Sequence, residues 1–264
     1  MRGGIGDNFR FMVDANHGYT THDALYVGRA MEEFSPYWFE EPVAPEDLDG
    51  YRELRAFLKV NISGGEAEFN RWGWRKLLES RGLDIAQPEV CALGGISEYL
   101  RVLALCHSHF TPVVNHVWGS AIAVAVNLHL LAAMPPLPGG LFPWEPMLEF
   151  DTTHNHFIDD LLTVSLDIKK QVKTNNGTVS LPNGPGLGVT PKRDFLDKFR
   201  DKIGEAYESV ENQIDKTPWG YKLKKQVVES GGQEFRSTEP IKDFIVWVWS
   251  MDPTRYLSSK NFVI

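Results

Sequence analysis

Short apolar runs alternate with amphipathic stretches along most of this chain. Runs at 9–13, 37–39, 60–62, 84–86, 111–114 and 147–150 are too short for helices and end in polar or turn residues, which predicts strands. Between the earlier runs, "THDALYVGRAMEEF" and "GISEYLRVLALCHSHF" place apolar residues three and four apart, the period of a half-buried helix. Strand alternating with helix predicts parallel strands joined by crossover helices. The similar spacing through the first five strands points to a barrel, although periodicity alone leaves an open sheet as the alternative.

Each predicted strand runs into a polar residue that a buried strand does not need. The first ends at Asp14 in "VDAN", the second at Glu40 and Glu41 in "WFEEP", the third at Glu66 in "SGGE". The fourth runs to Glu89 in "IAQPE" and the fifth ends at His116 in "VVNH". In a β/α barrel the carboxyl ends of the strands build the active site, so these side chains are expected at one mouth.

Glu40 follows Asp14 by 26 residues, and Glu66 follows Glu40 by 26. Three carboxylates brought together at one β/α period repel strongly unless a cation sits among them. Hard oxygen donors with room for water suit Mg2+. Asp14, Glu40 and Glu66 are therefore expected to be metal ligands. The alternative is that acidic residues merely populate exposed strand ends; it holds easily for any one of them and poorly for three at equal spacing.

Composition narrows the partners. At 264 residues, 42% hydrophobic and 23% charged, the chain can bury a sizeable core. A net charge of -8 without a basic run argues against nucleic acid or an anionic membrane as partner. Cys91 and Cys106 lack metal-ligand spacing and are too few for a disulfide framework, so a reducing cytoplasm is the expected location. The apolar run 121–134 is too short to span a bilayer.

Taken in order, "VDANHGYT", "WFEEPV", "GGE", "DIAQPEVCALGGI", "VVNHVWGS" and "PNGPGLGV" resemble the mandelate racemase and muconate-lactonizing group of the enolase superfamily, over roughly residues 5 to 200. The resemblance implies an α/β fold, a TIM-like (β/α)7β barrel beneath a separate capping domain, with Mg2+ held by three carboxylates on successive strands. Carried over position by position, it makes Asp14, Glu40 and Glu66 those ligands and sets Asn16 beside them. It makes His116 the catalytic base and Glu89 its carboxylate partner, where the family usually has aspartate. A carboxylate on one ring nitrogen fixes the tautomer and leaves the other nitrogen to move a proton. The family also places a glutamate on the last strand against the substrate; "FPWEPMLEFD" offers Glu145 and Glu149, and Glu149 fits better. His17, His22 and Trp118 flank the expected mouth as candidate substrate contacts, with an ordinary loop role as the alternative.

The reaction implied is removal of the proton next to a carboxylate, with Mg2+ stabilising the enediolate. "NHVWGS" and "EPMLEFD" resemble the sugar-acid enzymes of the group, which favours β-elimination, by dehydration or lactone opening, from an aldonate or aldarate. The partner is then a small-molecule carboxylate, and a homo-oligomer is compatible with the sequence. A racemase or epimerase of a 2-hydroxy acid is the enzymatic alternative. A non-catalytic homologue serving as a binding or subunit-interface protein is the other.

The opening "MRGGIGDNF" resembles the helix just before the first metal-ligand strand. The capping domain, the first two barrel strands and their Lys-x-Lys motif thus have no counterpart in this sequence, and the barrel is expected to be incomplete. Residues 1–200 are expected to form the partial barrel and 201–264 an extension of unassigned role. Within the extension, "DKIGEAYESVENQIDK" reads as a polar amphipathic helix and "FIVWVW" as an edge strand that covers the open barrel or forms an interface.

Overall fold

The computed structural model describes residues 9–137 and 145–198, together with Gly4 and Gly6. The chain divides into one compact unit over Met1–Lys192 and another over Arg193–Val263, and the account below concerns the first. The amphipathic helix and edge strand expected within 201–264 lie outside the described residues.

Four parallel strands, β1 (Val13–Asp14), β2 (Trp38–Glu40), β3 (Asn61–Gly64) and β4 (Ile85–Ala86), pair in sequence order. Parallel bridges Ala86↔Val113 and Asn115↔Leu148 extend the ladder to the fifth and sixth expected strands. Between the strands run α1 (Thr21–Met31), α2 (Leu48–Phe57), α3 (Asn70–Ser80) and α4 (Ile96–Ser108); α5 (Ala121–Ala133) follows the fifth strand position. Two short helices, α6 (His156–Asp159) and α7 (Ile168–Thr174), come after the last bridge. No described helix is long and apolar enough to cross a membrane.

The strands sort their residues by alternation. Phe39, Ile62, Ala86 and Val113 pack outward into the main core with Leu54, Trp74, Tyr99 and Val102 of the helices. The intervening positions Met12, Trp38, Ile85, Val114 and Met147 form a separate apolar cluster on the inner side. Two residues further along each of those strands stand Asp14, Glu40, Gln87, His116 and Glu149. The inner cluster is thus the floor on which the polar residues stand.

Local chemistry sets where the helices begin. The Thr20 hydroxyl caps α1 by accepting from the Asp23 amide at 3.3 Å. Asp47 caps α2 by accepting from the Gly50 amide at 2.9 Å and also takes the Thr21 hydroxyl at 2.8 Å, so one carboxylate joins two helix starts. α4 buries Tyr99, Val102, Leu103 and Cys106, the stripe its sequence period predicts. α5 is apolar nearly all round and correspondingly buried, from Ala121 to Leu131.

Glu98 on α4 receives Arg71 of α3 through both guanidinium arms, at 2.7 and 2.6 Å, and Arg101 at 3.0 Å. The Arg71 side-chain bonds, helped by its backbone amide, pull this carboxyl down to about 2. A lowered folded-state value stabilises the fold above the ordinary 4.5 and loses that contribution as pH falls through about 2. Glu98→Gln is therefore expected to melt below the parent at neutral pH and to lose less on acidification between those values, as followed by thermal melts across pH.

Candidate active site

The carboxyl ends of the strands bring the expected residues to one face of the sheet. Register sets Asp14 beside Glu40 and Glu40 beside Ser63. Gly65 then turns the chain at φ +120°, and a Cβ there would lie 2.4 Å from the Trp74 ring, so only glycine fits ahead of Glu66. Asn16 and His17 both adopt left-handed backbone, φ 43° and 62°, in the turn after β1. The Asn16 amide donates to Asp14 Oδ1 at 2.8 Å.

His116 is buried between two carboxylates. Its Nδ1 meets Glu89 Oε2 at 3.0 Å and its Nε2 meets Glu66 Oε2 at 2.9 Å. Burial alone would depress the imidazole, but the bonds to Glu66 and Glu89, with Glu149 nearby, push it up to about 11. Glu89 is fixed by the Cys91 amide, which donates to Oε1 at 2.8 Å, and by the Trp118 amide, which donates at 3.3 Å to the same Oε2 that meets His116. Its burial opposes ionisation, yet the His116 bond and these amides together hold its carboxyl below the ordinary value. Glu149 accepts from the Val117 amide at 3.0 Å, and withdrawal from water raises its carboxyl.

The remaining carboxylates are crowded. Glu40 is buried, and desolvation, with Glu149 and Asp14 adding repulsion, pushes it up to about 8; Gln87 and the Trp38 indole, at 2.8 Å, steady it. Desolvation also raises Asp14, whose surface is otherwise open, and Glu66 adds to the shift against the Asn16 amide. Among the described residues the oxygens of Asp14, Glu40 and Glu66 do not close into one tight group, and Glu66 is in contact with His116.

Ser63 and Gln87 join this cluster beyond the side chains expected from the strand ends, and Glu41, expected at the mouth with Glu40, lies within it. Glu41 sits beside Glu40 at φ 38°, is 1% exposed, and is pushed up to about 9 by desolvation and by Glu66, Asp14 and Glu40. His17 Nε2 lies 3.1 Å from Glu41 Oε2, but neither Glu41 oxygen receives a hydrogen bond. Ser63 and Gln87 are buried with Oγ and Oε1 unpartnered. The lone amide in the apolar run of "IAQPE" was the available signal for Gln87.

The other candidates are placed as follows. Glu145 pairs with Arg10 at 3.0 Å with its side chain 70% exposed, whereas Glu149 sits within reach of His116, which separates the two glutamates of "FPWEPMLEFD". Trp118 is exposed, with only its backbone tied to Glu89. His22 opens α1, on the helix that follows the β1 turn. Behind His116, the Tyr99 hydroxyl donates to Asn115 Oδ1 and Asn115 Nδ2 to Asn127 Oδ1 at 2.8 Å, a buried chain that anchors the strand position carrying the imidazole.

Parallel strands with outer helices, acidic residues on successive strand ends and an imidazole between carboxylates mark an α/β domain of the barrel type with its polar cluster at the strand ends. The chain belongs to the enolase C-terminal domain-like family, whose profile matches residues 1–195. It is 41% identical to D-galactarolactone cycloisomerase of Agrobacterium fabrum over 200 residues, covering 76% of this chain and 51% of that protein. It is 30% identical to arabinonate dehydratase of Saccharolobus solfataricus, over 75% of this chain and 49% of that protein. Among solved structures, 3,6-anhydro-D-galactonate cycloisomerase from Zobellia galactanivorans superposes with a TM-score of 0.64 at 35% identity, over 75% of this chain and 52% of that one. L-Talarate dehydratase from Polaromonas, complexed with Mg and L-glucarate, does so with a TM-score of 0.60 at 26% identity, over 73% and 47%. The chain spans about half the length of the curated relatives it matches.

Proposed function

We propose that this chain carries the barrel site of a Mg2+-dependent enzyme that removes the proton α to the carboxylate of a sugar acid and expels a β-oxygen, by dehydration or lactone opening. The observation that carries the reading is His116 held between Glu66 and Glu89 at the carboxyl ends of parallel strands. The donor set fits a hard cation: Asp14, Glu40 and Glu66 offer only oxygen, and Asp14 and Glu40, raised chiefly by desolvation, also repel acidic neighbours, a repulsion that a cation would offset. Mg2+ bound by these three would supply the charge that stabilises an enediolate.

The remaining chemistry belongs to the chain's own residues. Glu89 fixes His116 by Nδ1, so Nε2 is the atom that exchanges a proton. With a carboxylate at each nitrogen the imidazole stays protonated; service as a base requires Glu66 to give up its contact, as its role as a ligand demands. The α-proton then passes to Nε2, the β C–O bond breaks, the oxygen departs either as water after taking a proton back from the charged His116 or as the free carboxylate of the opened lactone, and the enol product tautomerises to a 2-keto acid. Glu149, raised by burial and held by the Val117 amide, is placed to hydrogen-bond the substrate near the developing negative charge. Asn16, His17 and Trp118 border the site and are proposed substrate contacts; Glu145, exposed and paired with Arg10, is the weaker candidate.

Calorimetric titration of the chain with Mg2+ beside Glu66→Gln, followed by a keto-acid assay over a panel of aldonates, aldarates and their lactones, tests this. Binding in the parent, lost in the variant, together with keto-acid formation is expected. Equal binding in both would remove Glu66 from the ligand set.

A further inference from the structure

We propose that His154, His156 and Asp160 form a second metal site, for a borderline transition-metal ion such as Zn2+, on the surface segment after the Glu149 strand position. Each of the three offers a donor atom within 4.8 Å of the others. Tetrahedral Zn2+ with bonds of about 2.0–2.1 Å asks for donors roughly 3.3 Å apart, which rotation of these half-exposed to exposed side chains supplies.

The local structure prepares the group. Asn155 caps α6, its side chain accepting from the Phe157 amide at 2.9 Å, so His156 opens the helix and Asp160 follows one turn later on the same side. His154 stands just before the cap, its ring edge-on to His156 with centroids 4.6 Å apart. Asp159 Oδ2 lies 2.9 Å from His154 Nδ1 and takes the Asn155 amide at 3.2 Å, while Lys169 holds its other oxygen at 3.3 Å. A carboxylate anchored in this way fixes the Nδ1–H tautomer and turns the Nε2 lone pair outward, the arrangement seen behind metal-bound histidines. His156 and Asp160, 2.6 Å apart, exchange their mutual contact for contacts to the ion.

Donor chemistry separates this site from the barrel cluster. Two imidazoles and one carboxylate select Zn2+, Ni2+ or Cu2+, whereas oxygen alone selects Mg2+. Three protein donors leave a fourth tetrahedral position for water. As surface ion pairs the same contacts add little to stability, so stability alone gives little reason for two imidazoles and two carboxylates within residues 154–160.

The test uses the chain without a histidine tag, in excess Mg2+. Zn2+ is titrated calorimetrically, and Cu2+ is added to a second sample for electron paramagnetic resonance. One equivalent of Zn2+ is expected, with nitrogen hyperfine coupling from two imidazoles on Cu2+. His154→Asn with His156→Asn should weaken binding more than tenfold and remove the coupling. Asp159→Asn should weaken it by about 10–100-fold. Glu66→Gln should leave it intact, which keeps this result separate from the barrel site. Metal-free melts of each variant check folding. Unchanged binding in the double histidine variant, or no binding at about millimolar Zn2+, overturns the proposal and leaves these contacts as loop-fastening ion pairs.

Discussion

Glu40→Gln is expected to melt higher than the parent in the absence of metal and to gain almost nothing from Mg2+. Glu40 ionises only near 8 because it is buried among Glu149 and Asp14. A group raised in the folded state stabilises below its ordinary value of 4.5 and loses that contribution as pH rises through about 8. At ~1.4 kcal/mol per unit, holding Glu40 protonated at pH 7, where the unfolded carboxyl ionises freely, costs roughly 3 kcal/mol of stability. A neutral amide keeps the Trp38 bond and removes this cost, for a gain of roughly 5–10 °C in melting temperature that shrinks towards pH 5. Saturating Mg2+ should stabilise the parent by ~2.7 kcal/mol at a hundred times its dissociation constant, and the variant hardly at all. Melts at pH 5 and 7.5, with and without Mg2+, measure both effects. A variant that melts lower than the parent, or that keeps the full Mg2+ shift, would remove Glu40 from the ligand set.

Replacing His116 by asparagine should slow loss of the substrate α-proton into deuterated water by about 10²–10⁴-fold, the usual share of a positioned general base. The Mg2+-induced rise in melting temperature should persist, because His116 is a neighbour of the ligands and not one of them. Glu89→Gln should slow exchange less, since the ring keeps its place while losing the carboxylate that favours its charged form. Exchange followed by nuclear magnetic resonance on a sugar acid that gives keto acid with the parent separates the two variants. Undiminished exchange in His116→Asn would assign the base elsewhere.

Much of this site was legible along the chain. The 26-residue spacing of Asp14, Glu40 and Glu66 placed them at successive strand ends, and β1 and β2 set the first two side by side. Strand positions were legible to within a few residues, and the misses share a cause. The first run, 9–13, is apolar except for Arg10, but only Val13 and Asp14 stand in register with β2, with one further bond from the Tyr37 amide to the Phe11 carbonyl; pairing is a property of the neighbour and leaves no mark on the run itself. The fifth and sixth runs enter the ladder through the single residues Val113 and Leu148 for the same reason. In each case the run was real and its hydrogen-bonded part was shorter.

By itself the sequence determined the alternation of strand and helix, the inward and outward faces, and which residues reach the strand ends, because burial imposes periods of 2 and 3.6 on any chain that folds this way. Only the tertiary structure decided how those residues meet. Glu66 and Glu89 flank one imidazole across 50 and 27 residues of sequence. Glu41 is turned into the cluster by a left-handed backbone angle, and Glu149 instead of Glu145 lies near His116. Contact, desolvation and charge repulsion act through space, so the states of these carboxylates are set by neighbours that no local stretch of sequence contains.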